Sequence, residues 1–498
     1  MKPPAIRKAP TVCPSRPDER GVTMVLVALA MVAIISMAAL SIDVITLYLA
    51  REEAQRSADA AALAAARVIS VSGMTGDPDN AATRTAICGG VGSPATLAAI
   101  AVGTQSSVGG SVASSTSVTY SVGATKLTDC SGLPAAFGVN PVVNVLVTRN
   151  SLPTFFSRIW GNTGNSVSAN ATAEAFNPSN SGSVAATIIP VQPSCVKPWI
   201  VPNQDPLNPD HPGNSGNYCN MKGKSCAPLV VLADGSIQNK GITLNGNNFK
   251  STGVIGETFW LVPDCAYSGS NCTLLSTPSP GQPLANFSGT TPPLFPSLQY
   301  VPGQTIYTPT AVPSCASVGS GGSPDYEPSI GGCDQSTLYQ CGVQNTPGNA
   351  PMVDLSENPR ADTTNGVKCL INEGDPTASQ PDGQDTFDNY AAPSTYPFQV
   401  LTGSSSPLGL ASGSPITSSN SIVSLPIYDE KLTTLGTGTT SVTIVGFLQV
   451  FINAVDQNGD ISVTILNVSG CGNGSGGTVG PSPVTGTSPV PIRLITPP

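Results

Sequence analysis

Charge is the first thing this chain lacks. Only 21 Lys plus Arg and 30 Asp plus Glu occur in 498 residues, about a tenth of the chain against the ~25% of ordinary soluble proteins. The net charge is −9. No basic patch with interleaved aromatics occurs, which argues against nucleic acid as a partner. Histidine is nearly missing. The one copy, His211, sits in the loop-type sequence NPDHPGN. A Ser-His-Asp or Cys-His site would have to use it, and a lone loop histidine is ordinarily surface. No Gly-x-Ser-x-Gly elbow, phosphate loop or dinucleotide fingerprint stands in the right context. No Cys-x-x-Cys occurs, so a zinc ligand set has little to draw on. These absences predict a protein that is not an enzyme and carries no cofactor. A glycosidase pair of carboxylates is one arrangement that a single sequence does not exclude.

What the chain does have is one long apolar run. Gly21 to Ile42 carries no charged side chain, and Asp43 ends it. Twenty-two such residues at ~1.5 Å each are enough to cross ~30 Å of hydrocarbon as a helix. Lys2, Arg7, Lys8, Arg16 and Arg20 precede the run, whereas Arg51 and Arg56 after it are outnumbered by Glu52, Glu53 and Asp59. The basic excess predicts a cytoplasmic N-terminus and an exported remainder. The alternative, a cleaved secretory signal, fits less well, because such apolar cores are usually ~7–15 residues long.

The helical pattern continues past the run. Ala50, Ala54, Ala58, Ala62 and Ala66 recur every fourth residue and form a narrow small-residue stripe. Gly73, Gly76 and Pro78 then break the pattern. A helix from about Val22 to Ser70 would be ~70 Å long. The stripe can pack on the protein's own sheet or on another subunit. Asp43, at the outer end of the span, can be solvated at the headgroups or pair with a partner helix.

The order of these features resembles a known family. Arg20-Gly21, the span, Asp43, Gln55 and Ala58-Asp59-Ala60-Ala61-Ala62-Leu63-Ala64 are similar to the N-terminal segment of TadG-like proteins of the Tad (Flp pilus, tight adherence) assembly machinery. The resemblance covers about residues 18 to 68. It implies a membrane-anchored, pilin-like or accessory protein whose partners are other Tad components. It also marks Gly21 as a possible processing site, although prepilin processing usually wants glutamate five residues on and Leu26 stands there. Larger relatives carry a von Willebrand A-type domain with an Asp-x-Ser-x-Ser motif; Asp354-Leu355-Ser356-Glu357-Asn358 begins like it and ends in asparagine.

Cysteine usage points to an oxidising compartment. Of thirteen cysteines only Cys13 precedes the span, and the twelve beyond it form an even set. Two local pairs are expected, Cys88–Cys130 and Cys265–Cys272. Gly and Pro together number 98, which favours short strands and many turns over helices. Strands are expected at Ser117–Val122, Val142–Thr148 and Val167–Ala175, and a short helix at Thr154–Trp160. Residues 71–110 show little pattern. Asp234-Gly235 marks a hairpin, and the clearest hairpin joins Ser441–Val455 to Ile461–Val468 through Asp456-Gln457-Asn458-Gly459-Asp460. Residues 275–420 read as irregular, disulfide-held structure, with disorder expected near Thr402 to Ser419. Glu373, Asp375, Asp382, Asp385 and Asp388 are weak calcium candidates, since exported proteins favour hard oxygen ligands.

The expected fold is therefore α+β. A cytoplasmic N-terminus (1–20) leads into a transmembrane helix (21–43) and an amphipathic helix (44–70). A pilin-like β region packing on that helix (71–189), a disulfide-rich, mostly antiparallel and loop-rich β ectodomain (190–477) and a proline-rich tail (478–498) follow. The expected function is that of a single-pass, inner-membrane pilus assembly protein with its bulk periplasmic or on the cell surface, acting through helix packing at Asp43, Gln55, Asp59 and the alanines. A membrane-tethered adhesin or an anchored hydrolase are the alternatives.

Overall fold

In the computed structural model the described residues are 20–154, 156, 161, 164–179, 191–203, 205, 230–232, 235–238, 240–241, 253–263, 297–302, 326–332, 352–353, 359–373, 383–388, 399–428, 440–441, 443–456, 459–471, 484–486 and 488–496. One helix dominates: α1, Arg20–Val71, 52 residues and so ~78 Å long. Gly73 ends it with φ +76°, a left-handed position that a residue with a Cβ resists. Two shorter helices follow, α2 (Ala81–Cys88) and α3 (Pro94–Gln105), in the stretch whose composition showed little pattern. Their ends are nonetheless chemically marked. The Asn80 side chain accepts from Thr83 N at 3.1 Å, and Pro94 opens α3, where a missing N–H costs nothing.

Four strands come next: β1 (Ser115–Val122), β2 (Thr125–Leu127), β3 (Val142–Leu152) and β4 (Asn165–Ala175). They pair antiparallel in the order β4-β3-β1-β2, and α1 and α3 pack beside each other against them. Cys88 of α2 is disulfide-bonded to Cys130, with Cα atoms 5.5 Å apart, which ties the helical layer to the turn after β2. Closing this 42-residue separation restricts the unfolded chain by about 4 kcal/mol.

The second body is a closed six-stranded barrel that the sequence does not announce. Its strands are β5 (Trp199–Pro202), β6 (Thr258–Pro263), β7 (Ser297–Pro302), β8 (Ile422–Tyr428), β9 (Ile444–Val455) and β10 (Ile461–Gly470). The circuit runs β7-β5-β8-β9-β10-β6 and back to β7. The β5–β8 and β6–β7 contacts are parallel and the others antiparallel. Two register shifts along the β9–β10 ladder add the local bend that closure demands. The expected β9–β10 hairpin is present, and its turn is fixed by Asp460 N donating to Asp456 Oδ1 at 2.9 Å. The Gly235 hairpin is present as well, with Val231 bridging Ile237.

Two helices, α4 (Tyr326–Gly331) and α5 (Pro359–Leu370), pack against the barrel. Trp199 Nε1 donates to Tyr326 Oη at 3.0 Å, and Tyr300 Oη lies 3.0 Å from Thr363 Oγ1. The disorder expected over residues 402–419 is not found, because side chains satisfy the backbone there: Thr402 Oγ1 donates to Ala411 O at 2.6 Å and accepts from Ser414 N at 3.0 Å. Cys195, Cys369 and Cys471 are also disulfide-bonded. The expected Cys265–Cys272 pair, most of the Thr154–Trp160 helix and residues 1–19 lie outside the described residues.

The proline-rich tail is not a separate appendage. Its strand β11, Ile492–Ile495, pairs antiparallel with β4 and completes the first sheet. The barrel is thus inserted between the fourth and the last strand of the sheet that carries α1, and the tail returns to the unit in which the chain began. Glu174, fully buried, is bridged by Arg493 at 2.8 Å, and that guanidinium also covers the Phe176 ring. The two bodies meet where α1 ends. Asn467 Nδ2 donates to Ser70 O at 2.8 Å and to Thr75 Oγ1 at 3.0 Å. Gly76 packs so close there that a Cβ would lie 2.4 Å from Ile255 Cδ1.

Candidate functional site

Helix α1 passes through two environments, and the boundary between them defines the site. From Val22 to Leu49 its large apolar side chains are exposed apart from the half-buried Leu47; Val22, Leu29 and Met37 show 67%, 65% and 65% of their surface. Exposure does not stop at Asp43, because Ile45, Tyr48 and Leu49 are also exposed. The apolar rod from Gly21 to Leu49 is ~43 Å long, close to the ~40–45 Å of a bilayer with its headgroups. Tyr48, near its outer end, suits the interface, and Arg51 is the first basic residue beyond it.

Asp43 is not solvated but turned into the chain's own fold. It is buried at 5% exposure and accepts the Phe156 N–H, at 3.1 Å to Oδ2. The segment after β3 is thereby pinned to the outer end of the rod. Ala39, one turn earlier, is buried too.

Above the rod the helix is seated. Ala54, Ala58, Ala62 and Ala66 are fully buried and Ala50 nearly so. Their cluster includes Ala169, Ala171, Ala173 and Ala175 on β4, so two small-residue faces meet and the helix lies close on the strand. The stripe thus faces the protein's own sheet. From Ala61 onward burial spreads around the helix, with Ala61, Ala65, Val68 and Ile69 buried as well, because α3 packs beside it; Ser57 Oγ donates to Gly103 O at 3.0 Å.

The polar residues of the segment act as clamps. Gln55 Nε2 donates to Asn170 O of β4 at 3.0 Å and to Asp59 Oδ1 at 2.8 Å. Glu53 accepts from Gly109 N at 2.7 Å. Glu53 gave no signal in the sequence beyond its charge, and its role depends on a turn far along the chain. Arg51, Glu52 and Arg56 stay exposed, with Glu52 and Arg56 4.0 Å apart one turn from each other. Gly21 lies in open space at the start of α1.

The calcium candidates are not gathered by the described residues. Glu373 is paired with Lys368 at 3.2 Å. Asp385 accepts from Gly403 N at 3.0 Å and from Ser419 Oγ at 2.6 Å. Asp388 ends a short strand paired to Gln399, and Asp375 and Asp382 lie outside the described residues. Among the described residues no three His, Cys, Asp or Glu side chains are grouped to hold a metal.

No curated protein and no solved structure matches the chain. A family match falls on the segment just described. Residues 21–68, the exposed rod and nearly all of its seated continuation, match the Tad family of TadE/G-like Flp pilus-assembly proteins.

Proposed function

We propose that this protein is a single-pass, inner-membrane component of Flp pilus assembly that works by contact and not by turnover. Its first twenty residues lie in the cytoplasm, and the helix-on-sheet unit and barrel lie in the oxidising space beyond. The observation that carries this reading is the continuity of α1, whose Tad-matching segment is an exposed apolar rod at one end and a buried strut at the other. With the alanine stripe used internally, contacts to other Tad components fall to the outward face of α1 and to the sheet and barrel. The disulfides Cys88–Cys130 and those of Cys195, Cys369 and Cys471 agree with an exported bulk.

Cells that assemble Flp pili should lose them when this chain is deleted, and recover them with the full chain but not with one lacking residues 21–43, as counted by electron microscopy. Cys13 supplies a topology test, since a membrane-impermeant maleimide should label it only after the inner membrane is broken. Normal piliation without the chain, or labelling of Cys13 from outside, overturns the proposal.

A further inference from the structure

A cavity of about 370 Å³ lies between the upper end of α1 and the barrel, lined by Arg67, Lys197, Asp385, Ser419, Asn420 and Ser424 among others. Its size falls within the ~300–1,000 Å³ of small-ligand sites. Arg67 comes from the Tad-matching helix and every other residue named here comes from the inserted half of the chain, so the site exists only when the two bodies are joined.

The charges in it are unbalanced. Among the described residues no hydrogen bond or ion pair joins the Arg67 guanidinium to any other, although burial pulls its pKa below the ordinary value. Arg67 is half-buried and lines the cavity. Lys197 is buried, and its Nζ donates to Ile330 O at 2.7 Å and Gly332 O at 2.8 Å. Those bonds use two of the ammonium's three donors. Among the described residues the only acid on the wall, Asp385, forms no ion pair with either cation, and its one negative charge does not balance two positive ones. Its two oxygens are already taken by Gly403 N and Ser419 Oγ. A desolvated cation without a counter-charge is costly, and a guanidinium presents a planar fork that fits the O–X–O edge of a carboxylate or phosphate.

We propose that this cavity is an oxyanion site, taking a carboxylate- or phosphate-bearing small molecule with Arg67 as its bidentate anchor and the Asn420 amide as a flanking donor. The site is independent of the pilus reading, because piliation counts test that one and ligand binding tests this one.

The test uses the full chain in detergent, titrated separately with inorganic phosphate and with acetate against chloride at equal ionic strength, with thermal unfolding as the readout. The wild-type protein should show a saturable upward shift with at least one of the two, and which one identifies the ligand chemistry. Arg67→Met should abolish that shift while leaving the unliganded melting temperature equal or higher, since an unpaired half-buried charge is gone. Arg67→Lys, which keeps the charge and loses the fork, should weaken the response about tenfold and decides the matter if the methionine variant does not fold. No saturable shift in the wild type with either anion, or equal shifts in wild type and Arg67→Lys, overturns the proposal.

Discussion

Where α1 meets its sheet, alanine lies on alanine; where the chain closes its barrel, Trp199 lies against Tyr300 with ring centroids 6.0 Å apart. The first unit gets its close fit from the smallness of its side chains, from one disulfide and from a strand delivered by the far end of the chain. The second fills its interior with Trp199, Phe259, Tyr300 and Phe451 and buries ionisable groups whose pKa values are displaced toward neutrality, Lys197 and Glu327. The difference is one of vulnerability. A small-residue contact has no slack for added bulk, whereas an interior that holds titratable groups is exposed to pH.

The borrowed strand is where the first unit breaks most easily. Deleting residues 487–498 removes β11, leaves β4 as an open edge and strips the buried Glu174 of Arg493. The helix-on-sheet unit should then become protease-sensitive, while the barrel, whose six strands pair with one another, keeps its protection. The single change Arg493→Met isolates the ionic part. It leaves a fully buried carboxylate without its Arg493 bridge and should cost about 3–5 kcal/mol by urea unfolding. Unchanged proteolysis of the first unit after deletion would show that β11 adds nothing to it.

The same contrast governs what the sequence revealed. In the first unit the signals are periodic and local: the uncharged run, the four-residue alanine spacing, and the alternation of Ala169, Ala171, Ala173 and Ala175. Each depends only on residues within one element, so each is legible. Helices α2 and α3 were missed although Asn80 and Ser93-Pro94 mark their starts, because alanine, threonine and glycine between those marks give no apolar stripe. The barrel was not legible as a barrel. Its strands β5, β6 and β7 have four to six residues each and lie far apart in the chain, and short apolar runs do not say which partner they pair with. Strand β11 was hidden in proline-rich sequence for the same reason. Of the candidate site, the alanines and Gln55 were legible as a group, but which surface they face was not, since a small-residue stripe is equally suited to either. The partner of Asp43 and the role of Glu53 depend on backbone N–H groups of distant loops, which carry no sequence signature.

A bulk substitution sharpens the comparison on the helix side. Ala58 is fully buried in the contact between α1 and its surroundings. Ala58→Leu adds three carbons where no space exists and should cost about 3 kcal/mol. Ala60, on the exposed side of the same turn, is the control; Ala60→Leu should change stability by less than about 0.5 kcal/mol. Pilus assembly lost in Ala60→Leu with stability intact would place a partner on that outward face. Equal stability losses in both variants would mean that the stripe is not packed as described.

The barrel side is tested by pH. Burial, reinforced by the negative charge of Asp362, pushes the Glu327 carboxyl up to about 7 from an ordinary 4.5, and its Oε1 has no hydrogen-bond partner. Because the folded state holds this proton more tightly than the unfolded one, the contribution of Glu327 to stability is complete below pH 4.5 and declines as pH rises to 7. Lys197 works in the opposite sense. Burial lowers it to about 7 from 10.5, so the unfolded chain binds the extra proton and stability rises between pH 7 and 10.5. Together they give the barrel a stability minimum near neutrality. Glu327→Gln should remove the acid limb of that minimum, leaving pH 4.5 nearly unchanged and raising stability at pH 8 by about 1–2 kcal/mol. That gain is smaller than the full shift implies, because the amide is still desolvated. Urea unfolding at the two pH values, followed by tryptophan fluorescence, measures the difference. A gain of the same size at both would assign the effect to packing and not to the proton.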